Sequence, residues 1–113
     1  MEWIKIDNEA QLEAIKEESK TQPVLLFKHS TRCSISSMAL NRVERSWSAS
    51  DNEILKPYYL DLIQYRSISD KVASDFNVPH ESPQAILIKN GEAIFDSSHM
   101  SINYNDLKEK AKS

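Results

Sequence analysis

The sequence has little of three features on which many enzymes depend: cysteine, glycine and long apolar runs. Its 113 residues include one cysteine, Cys33, and one glycine, Gly91. A single glycine cannot build the glycine-rich loops that hold phosphates, so dinucleotide and P-loop binding are excluded. The longest strictly apolar runs have four residues, at 24–27 and 85–88. No stretch is therefore predicted to cross a membrane, and we expect no membrane partner.

The sequence also has no large excess of charge of either sign. There are 14 basic and 17 acidic residues, which give a net charge of −3, and they are mixed along the chain. Without a basic stripe, nucleic acid is not an expected partner. One cysteine cannot form an internal disulfide, which suits a reducing compartment. Residues 1–5 lack the basic and apolar segments of a signal peptide, so we expect a cytoplasmic protein.

The one cysteine lies at a position with chemical consequences. Cys33 follows the apolar run 24–27, which is typical of a buried strand, and precedes a helical pattern that begins at about Ile35. The first turn of a helix has backbone N–H groups without intrahelical partners, and these favour a negative charge such as a thiolate. Arg32 adds a neighbouring positive charge, and protonated His29 could add another. Although free cysteines are often small core residues, the polar sequence 30–34 favours a nucleophile.

The remaining patterns predict an α/β fold with the element order βαβαβαββα. Apolar runs give five strands, at about 3–6, 24–27, 57–63, 84–89 and 92–96. Asn90-Gly91 between the last two runs is a strong hairpin signal. The other strands are separated by helices, so we expect one mixed sheet with helices on both faces, in a single domain of residues 1–113.

The helical patterns also predict which residues pack into the core. The helix after Cys33 is predicted over about 34–47, with an apolar face of Ile35, Met38, Ala39, Val43 and Trp47. Met38, Trp47 and Phe76 are interpreted as core residues, not as a cofactor site. Residues 48–52 are predicted to form a polar loop, and residues 103–113 a final amphipathic helix.

The element order, with a cysteine after the second strand and a proline just before the hairpin, resembles the thioredoxin fold over nearly the whole chain. The segment 28–36 narrows this further, because it resembles the motif Thr-x-Cys-Pro-Ile-Ser of the YtxJ family, the monothiol bacilliredoxins of the bacillithiol system. Thr31, Cys33, Ile35 and Ser36 match that motif. Ser34 stands where proline is usual, which costs rigidity at the helix start and leaves the thiol intact.

The resemblance implies a monothiol thiol–disulfide oxidoreductase with Cys33 as the catalytic residue. Two-cysteine relatives have their second thiol where this chain has Ser36, so an outside thiol must complete the reaction. By the same resemblance that thiol is bacillithiol, a co-substrate rather than a bound cofactor, and the partners are bacillithiolated client proteins and the reductant of the small thiol. The resemblance also implies a cis peptide bond at Ser82-Pro83, which would form a seat for the substrate beside Cys33.

The supporting residues have plainer interpretations as well. Arg32 is either a solvated charge or a group that steers an anionic thiol ligand. Ser36 either donates a hydrogen bond to the thiolate or satisfies the backbone of the first turn. His29 is interpreted as a structural or surface histidine. His80 and His99 have no ligand-like spacing to it or to Cys33, so we expect no metal site.

Other functions remain open to different degrees. One alternative is a thioredoxin-like module that binds an extended segment without turnover. A second is iron–sulfur carriage, as in some monothiol glutaredoxins, but those carry Cys-Gly-Phe-Ser, and the segment 33–36 lacks the glycine and the aromatic residue. Phosphatase chemistry through Cys-x5-Arg is excluded, because Ala39 occupies the arginine position.

Overall fold

The computed structural model describes residues 1–112 of the chain. The predicted order βαβαβαββα is confirmed there, with one short 3-10 helix after α2 (Ala49–Glu53) and another after β5 (His99–Ser101). Ser113, the last residue of the predicted final helix, lies outside the described residues. No helix in the described part is both long and apolar enough to cross a membrane. The elements are β1 (Ile4–Lys5), α1 (Ala10–Glu18), β2 (Val24–His29), α2 (Ser34–Ser46), β3 (Lys56–Asp61), α3 (Arg66–Phe76), β4 (Gln84–Lys89), β5 (Glu92–Ser98) and α4 (Tyr104–Ala111).

The five strands form one mixed sheet in the order β1-β3-β2-β4-β5. β3 is parallel to both β1 and β2, whereas β4 is antiparallel to β2 and to β5. Asn90 and Gly91 both have positive φ, 55° and 77°, as the predicted hairpin turn requires. In this arrangement the carboxyl ends of β2 and β3 and the amino end of β4 meet at one edge of the sheet.

The core lies on both faces of the sheet, because β2 is buried along its whole length. On one face, Leu26 packs with apolar residues of α1 and α3. On the other face, Leu25 and Phe27 pack with residues of α2 and α4. An apolar run without alternation is what a strand covered on both faces requires. The predicted layer of helices on each side of the sheet is therefore confirmed.

Helix α2 buries a different face from the predicted one. Ala39 and Val43 are buried as expected, but the third inward residue is Ser36. Ile35 and Met38 are 42% and 51% exposed, so the assignment of Met38 to the core was wrong. Residues 36, 39 and 43 have the i, i+3, i+7 spacing of one helix face, and so do several residues of the predicted apolar face. The sequence pattern pointed to the wrong face because a serine occupies an inward position.

The segment predicted as a polar loop, 48–52, is instead ordered into the 3-10 helix Ala49–Glu53. Ser48 and Asp51 form a reciprocal capping box at its start. The Asp51 carboxylate is almost fully buried and accepts a hydrogen bond of 2.6 Å from the Tyr104 hydroxyl of α4. This contact fastens α4 to the segment after α2, which a local polarity pattern does not reveal.

Candidate active site

Cys33 is the N-cap residue of α2, at the sheet edge where β2 ends. Its backbone is extended, with φ −113° and ψ 120°. The first bond of the helix runs from the Ser37 N–H to the Cys33 carbonyl, at 3.1 Å. The N–H groups of residues 34–36 therefore have no intrahelical acceptor, and they form the partly positive end of the helix. Cys33 therefore stands at the partly positive end of α2, although its side chain makes no capping hydrogen bond there.

The thiol of Cys33 is partly exposed and free. The loop between β2 and α2 is closed by a hydrogen bond of 3.2 Å from the Cys33 N–H to the Ser30 carbonyl. Thr31 and Arg32, at the tip of that loop, are exposed. Among residues 1–112, Arg32 has no ion-pair partner, so its charge is available to a ligand near the thiol. The loop combines an accessible sulfur with a fixed backbone.

Ser34 is the first residue of α2, and its replacement by proline (S34P) is expected to stabilise the protein. Proline is favoured at the first helical position because the lost N–H has no intrahelical acceptor. The extended backbone of Cys33 suits a residue that precedes proline. We expect the free energy of unfolding to rise by about 0.5 to 1 kcal/mol.

Urea unfolding of the wild-type and S34P proteins at equal m-values measures this change. Serine-to-alanine substitution at the same position (S34A) is the matched control, because it removes the hydroxyl without restricting φ. A stability of S34P equal to or below that of S34A would contradict the proposed conformation of the helix start.

Ser36 does not contact the thiol. Its hydroxyl oxygen accepts a hydrogen bond of 3.0 Å from the Ser30 N–H and lies 2.7 Å from His29 Nδ1. All three residues are buried. Of the two predicted roles for Ser36, the structure shows the second, because its hydroxyl accepts a hydrogen bond from a backbone N–H. The same hydroxyl also contacts a histidine ring. His29 is a structural histidine, and its direct partner is Ser36, not Cys33.

Ser82 and Pro83 lie at the same edge of the sheet as Cys33. Lys28 of β2 pairs with Gln84 of β4, so the residues before β4 lie beside the end of β2. The Ser82–Pro83 peptide bond is cis, as expected. The Pro83 carbonyl accepts a hydrogen bond of 3.0 Å from the His99 N–H, which ties the segment to the end of β5. The topology thus brings the two predicted site segments together at one edge.

A buried lysine, which no sequence pattern predicts, supports the segment before Pro83. Lys28 is fully buried, and its Nζ donates to the Ser69 carbonyl at 3.2 Å and lies 3.3 Å from His80 Nδ1. The Gln84 side chain bonds the same segment, donating to the Pro79 carbonyl at 3.0 Å. Burial lowers the pKa of Lys28 to about 8, against the effect of the nearby Asp70 carboxylate. Two polar side chains of the sheet, those of Lys28 and Gln84, therefore bind the segment 79–83.

Exposed apolar side chains lie on α2 after Cys33 and on the 3-10 helix that contacts α2. Ile35 and Met38 follow Cys33 on the exposed face of α2, and Met100 is 52% exposed. Arg42, one turn beyond Met38, donates to the Met100 carbonyl at 3.4 Å, so α2 and the 3-10 helix His99–Ser101 are in contact. Within residues 1–112, no group of three histidine, cysteine or acidic side chains is placed to hold a metal. The site thus combines a partly exposed thiol with exposed apolar side chains on the same helix.

Comparisons with known proteins agree with this fold. A family model described as monothiol bacilliredoxin BrxC matches residues 4–107. The chain is 35% identical to a solved thioredoxin-fold protein proposed to be an oxidoreductase, with a TM-score of 0.81 over 97% of this chain and 93% of the other. It shares the fold of the Fasciola hepatica thioredoxin, with a TM-score of 0.71, 19% identity and 96% of each chain covered. The same holds for the Malassezia sympodialis thioredoxin, with a TM-score of 0.73, 14% identity and coverage of 98% and 89%.

Proposed function

The chain belongs to the family of monothiol bacilliredoxins, and on that premise we propose that it removes bacillithiol, or a similar small thiol, from mixed disulfides on client proteins. Thiol–disulfide redox chemistry itself is supported by the family and by the oxidoreductase fold. The observation that carries the finer proposal is the single thiol at the N-cap of α2, with Ser36 where a second thiol would be needed.

The first step is a thiol–disulfide exchange at Cys33. The Cys33 thiolate attacks the sulfur of the small thiol, a new S–S bond forms to it, and the S–S bond to the client breaks. The client sulfur leaves with the electron pair and takes a proton from water. No net oxidation occurs, because one disulfide is exchanged for another. The attacking species is the thiolate, and Cys33 carries it at the N-terminus of α2.

The second step needs a thiol from outside the chain. The Ser36 hydroxyl cannot displace a thiolate, and the chain has no other cysteine. A second molecule of small thiol therefore attacks the adduct, which yields the symmetrical small-thiol disulfide and the free Cys33 thiolate. A separate reductase returns that disulfide to the thiol. Clients and reductant meet the protein in the cytoplasm under this proposal, which the bacilliredoxin family supports.

Two surfaces beside Cys33 suit these substrates. Ile35 and Met38 give an apolar border on which an unfolded or extended client segment can pack. The segment at Ser82-Pro83 lies beside it at the sheet edge and can offer backbone groups to an extended chain. Arg32 lies at the loop tip, has no ion-pair partner in the part of the chain that the structure describes, and would attract an anionic small thiol.

Mass spectrometry after mixing with a bacillithiolated model protein tests the proposal. We expect the mass of one bacillithiol on the peptide that contains Cys33, together with release of the reduced model protein. Adding free bacillithiol should then remove the adduct. No adduct on a reduced and accessible Cys33 would overturn the proposal and favour the alternative of a binding module without turnover.

A further inference from the structure

The buried histidine at the end of β2 is not used by the exchange reaction, yet it lies directly beneath the start of α2. We propose that His29 is a positioning residue that acts through Ser36 to hold Cys33 at the helix N-terminus in its reactive arrangement. This inference rests on the proposed function for its biological meaning. Its test uses the reactivity of the thiol, which does not depend on the identity of the small thiol.

His29 is itself held rigidly. It is the last residue of β2, it pairs with Asp61 of β3, and its carbonyl accepts a hydrogen bond of 3.1 Å from the Leu62 N–H. Its ring packs beside the rings of Phe27 and Tyr59, with centroid distances of 6.5 and 5.6 Å. A ring fixed on the sheet can therefore set the position of whatever its nitrogen contacts.

The contact of that ring is the first turn of α2. His29 Nδ1 lies 2.7 Å from the Ser36 hydroxyl, which also accepts from the Ser30 N–H at 3.0 Å. The Ser30 carbonyl in turn accepts from the Cys33 N–H at 3.2 Å. The chain of contacts runs from the sheet through Ser36 and Ser30 to Cys33. Loss of the contact between His29 and Ser36 would free the start of α2 to move relative to the sulfur.

The electrostatic surroundings keep the ring in one state. Burial lowers the pKa of His29 below its ordinary value, while the carboxylates of Asp61 and Glu44 oppose that effect. The imidazole is therefore neutral at pH 7, with one ring N–H. The Ser36 hydroxyl has one proton and a second lone pair left after it accepts from Ser30, so it can pair with either tautomer. His29 thus positions the turn without carrying a charge toward the thiol.

The test measures the rate at which iodoacetamide alkylates Cys33 as a function of pH. Replacing His29 by phenylalanine (H29F) keeps an aromatic ring and removes Nδ1. We expect the alkylation rate at pH 7 to fall about tenfold, with a pH profile that differs from that of the wild type. Asparagine (H29N) places a polar group near the position of Nδ1 and should recover most of the rate.

Substitutions in α2 provide an independent test, which remains available if H29F does not fold. Alanine at Ser36 (S36A) should slow alkylation as H29F does, whereas alanine at the neighbouring Ser37 (S37A) should leave the rate unchanged. If His29 acts through Ser36, the H29F/S36A double variant should be no slower than the S36A single variant. Far-UV circular dichroism verifies that each variant is folded.

Three results would overturn the inference. They are a wild-type pH profile for folded H29F or S36A, a rate for H29N as low as that of H29F, and additive losses in the double variant. Failure of the bacillithiol adduct to form on the wild-type protein, with the alkylation results as expected, would instead overturn the proposed function and leave the role of His29 standing.

Discussion

Replacement of Cys33 by serine (C33S) is expected to reduce the removal of bacillithiol from a client protein to the rate measured without any protein. A serine hydroxyl is not ionised near neutral pH and cannot form a disulfide with a thiol. The chain has no second cysteine that could take over the attack. The measurement is the appearance of reduced client over time, followed by mass spectrometry.

The fold should survive this change, so that lost activity reports on the sulfur. The side chain of Cys33 is partly exposed and, within residues 1–112, makes no hydrogen bond. A substitution at such a site usually alters stability by about 0.5 kcal/mol or less. Wild-type and C33S proteins should therefore melt at similar temperatures. A folded C33S protein that still released reduced client would contradict the role given to Cys33.

The fold could be predicted from local signals, because each of its elements carries its own. The unbroken run 24–27 indicates a strand covered on both faces, and Asn90-Gly91 fixes the terminal hairpin. Since strands joined through helices must be parallel or distant, the order of elements restricts the sheet. The place of Cys33 follows from the same signals, as it lies where an apolar strand gives way to a helical pattern.

The surroundings of the thiol could not be predicted in the same way. His29 and Ser36 are seven residues apart across a loop, and no helix or strand period links them. In the structure, Ser36 of α2 faces inward and Met38 faces outward, against the apolar pattern. The burial of Lys28 could not be predicted either, because a lysine at a strand end normally reaches water. In the structure its ammonium lies against α3, where it donates to the Ser69 carbonyl.

That buried ammonium leads to the second large effect, a gain in stability when Lys28 is replaced by methionine (K28M). Lys28 is fully buried on the sheet face that α3 covers, and its partners are a carbonyl of Ser69 and the ring of His80. Taking a charge out of water costs several kcal/mol unless an opposite charge is in contact with it. Methionine has a similar length and no charge, so it should relieve most of that cost.

The sign of the pH dependence follows from the pKa of Lys28, which burial lowers to about 8 in the folded protein. In the unfolded chain the group titrates near its ordinary value of about 10.4. Below pH 8 both states carry the proton, and the folded state bears the full cost. Between about pH 8 and 10.4 the unfolded chain binds more protons, so the free energy of unfolding rises with pH. Above that range the cost has gone.

We therefore expect K28M to exceed the wild-type protein in free energy of unfolding by about 1 to 3 kcal/mol at pH 7. The difference should shrink steadily above pH 8 and approach zero near pH 10.4. Urea unfolding under reducing conditions measures both, and methionine at the exposed Lys20 (K20M) serves as the matched control, with a difference near zero at every pH.

A K28M protein less stable than the wild type at pH 7 would show that the bonds of the ammonium outweigh its burial. The expected gain carries a functional consequence, because Lys28 supports the segment that ends at Pro83 through His80. The burial of Lys28 would then cost stability while its Nζ holds a segment of the proposed binding surface in place. K28M should thus be the more stable protein, in which the loop before Pro83 keeps its bonds from Gln84 and from the His99 N–H.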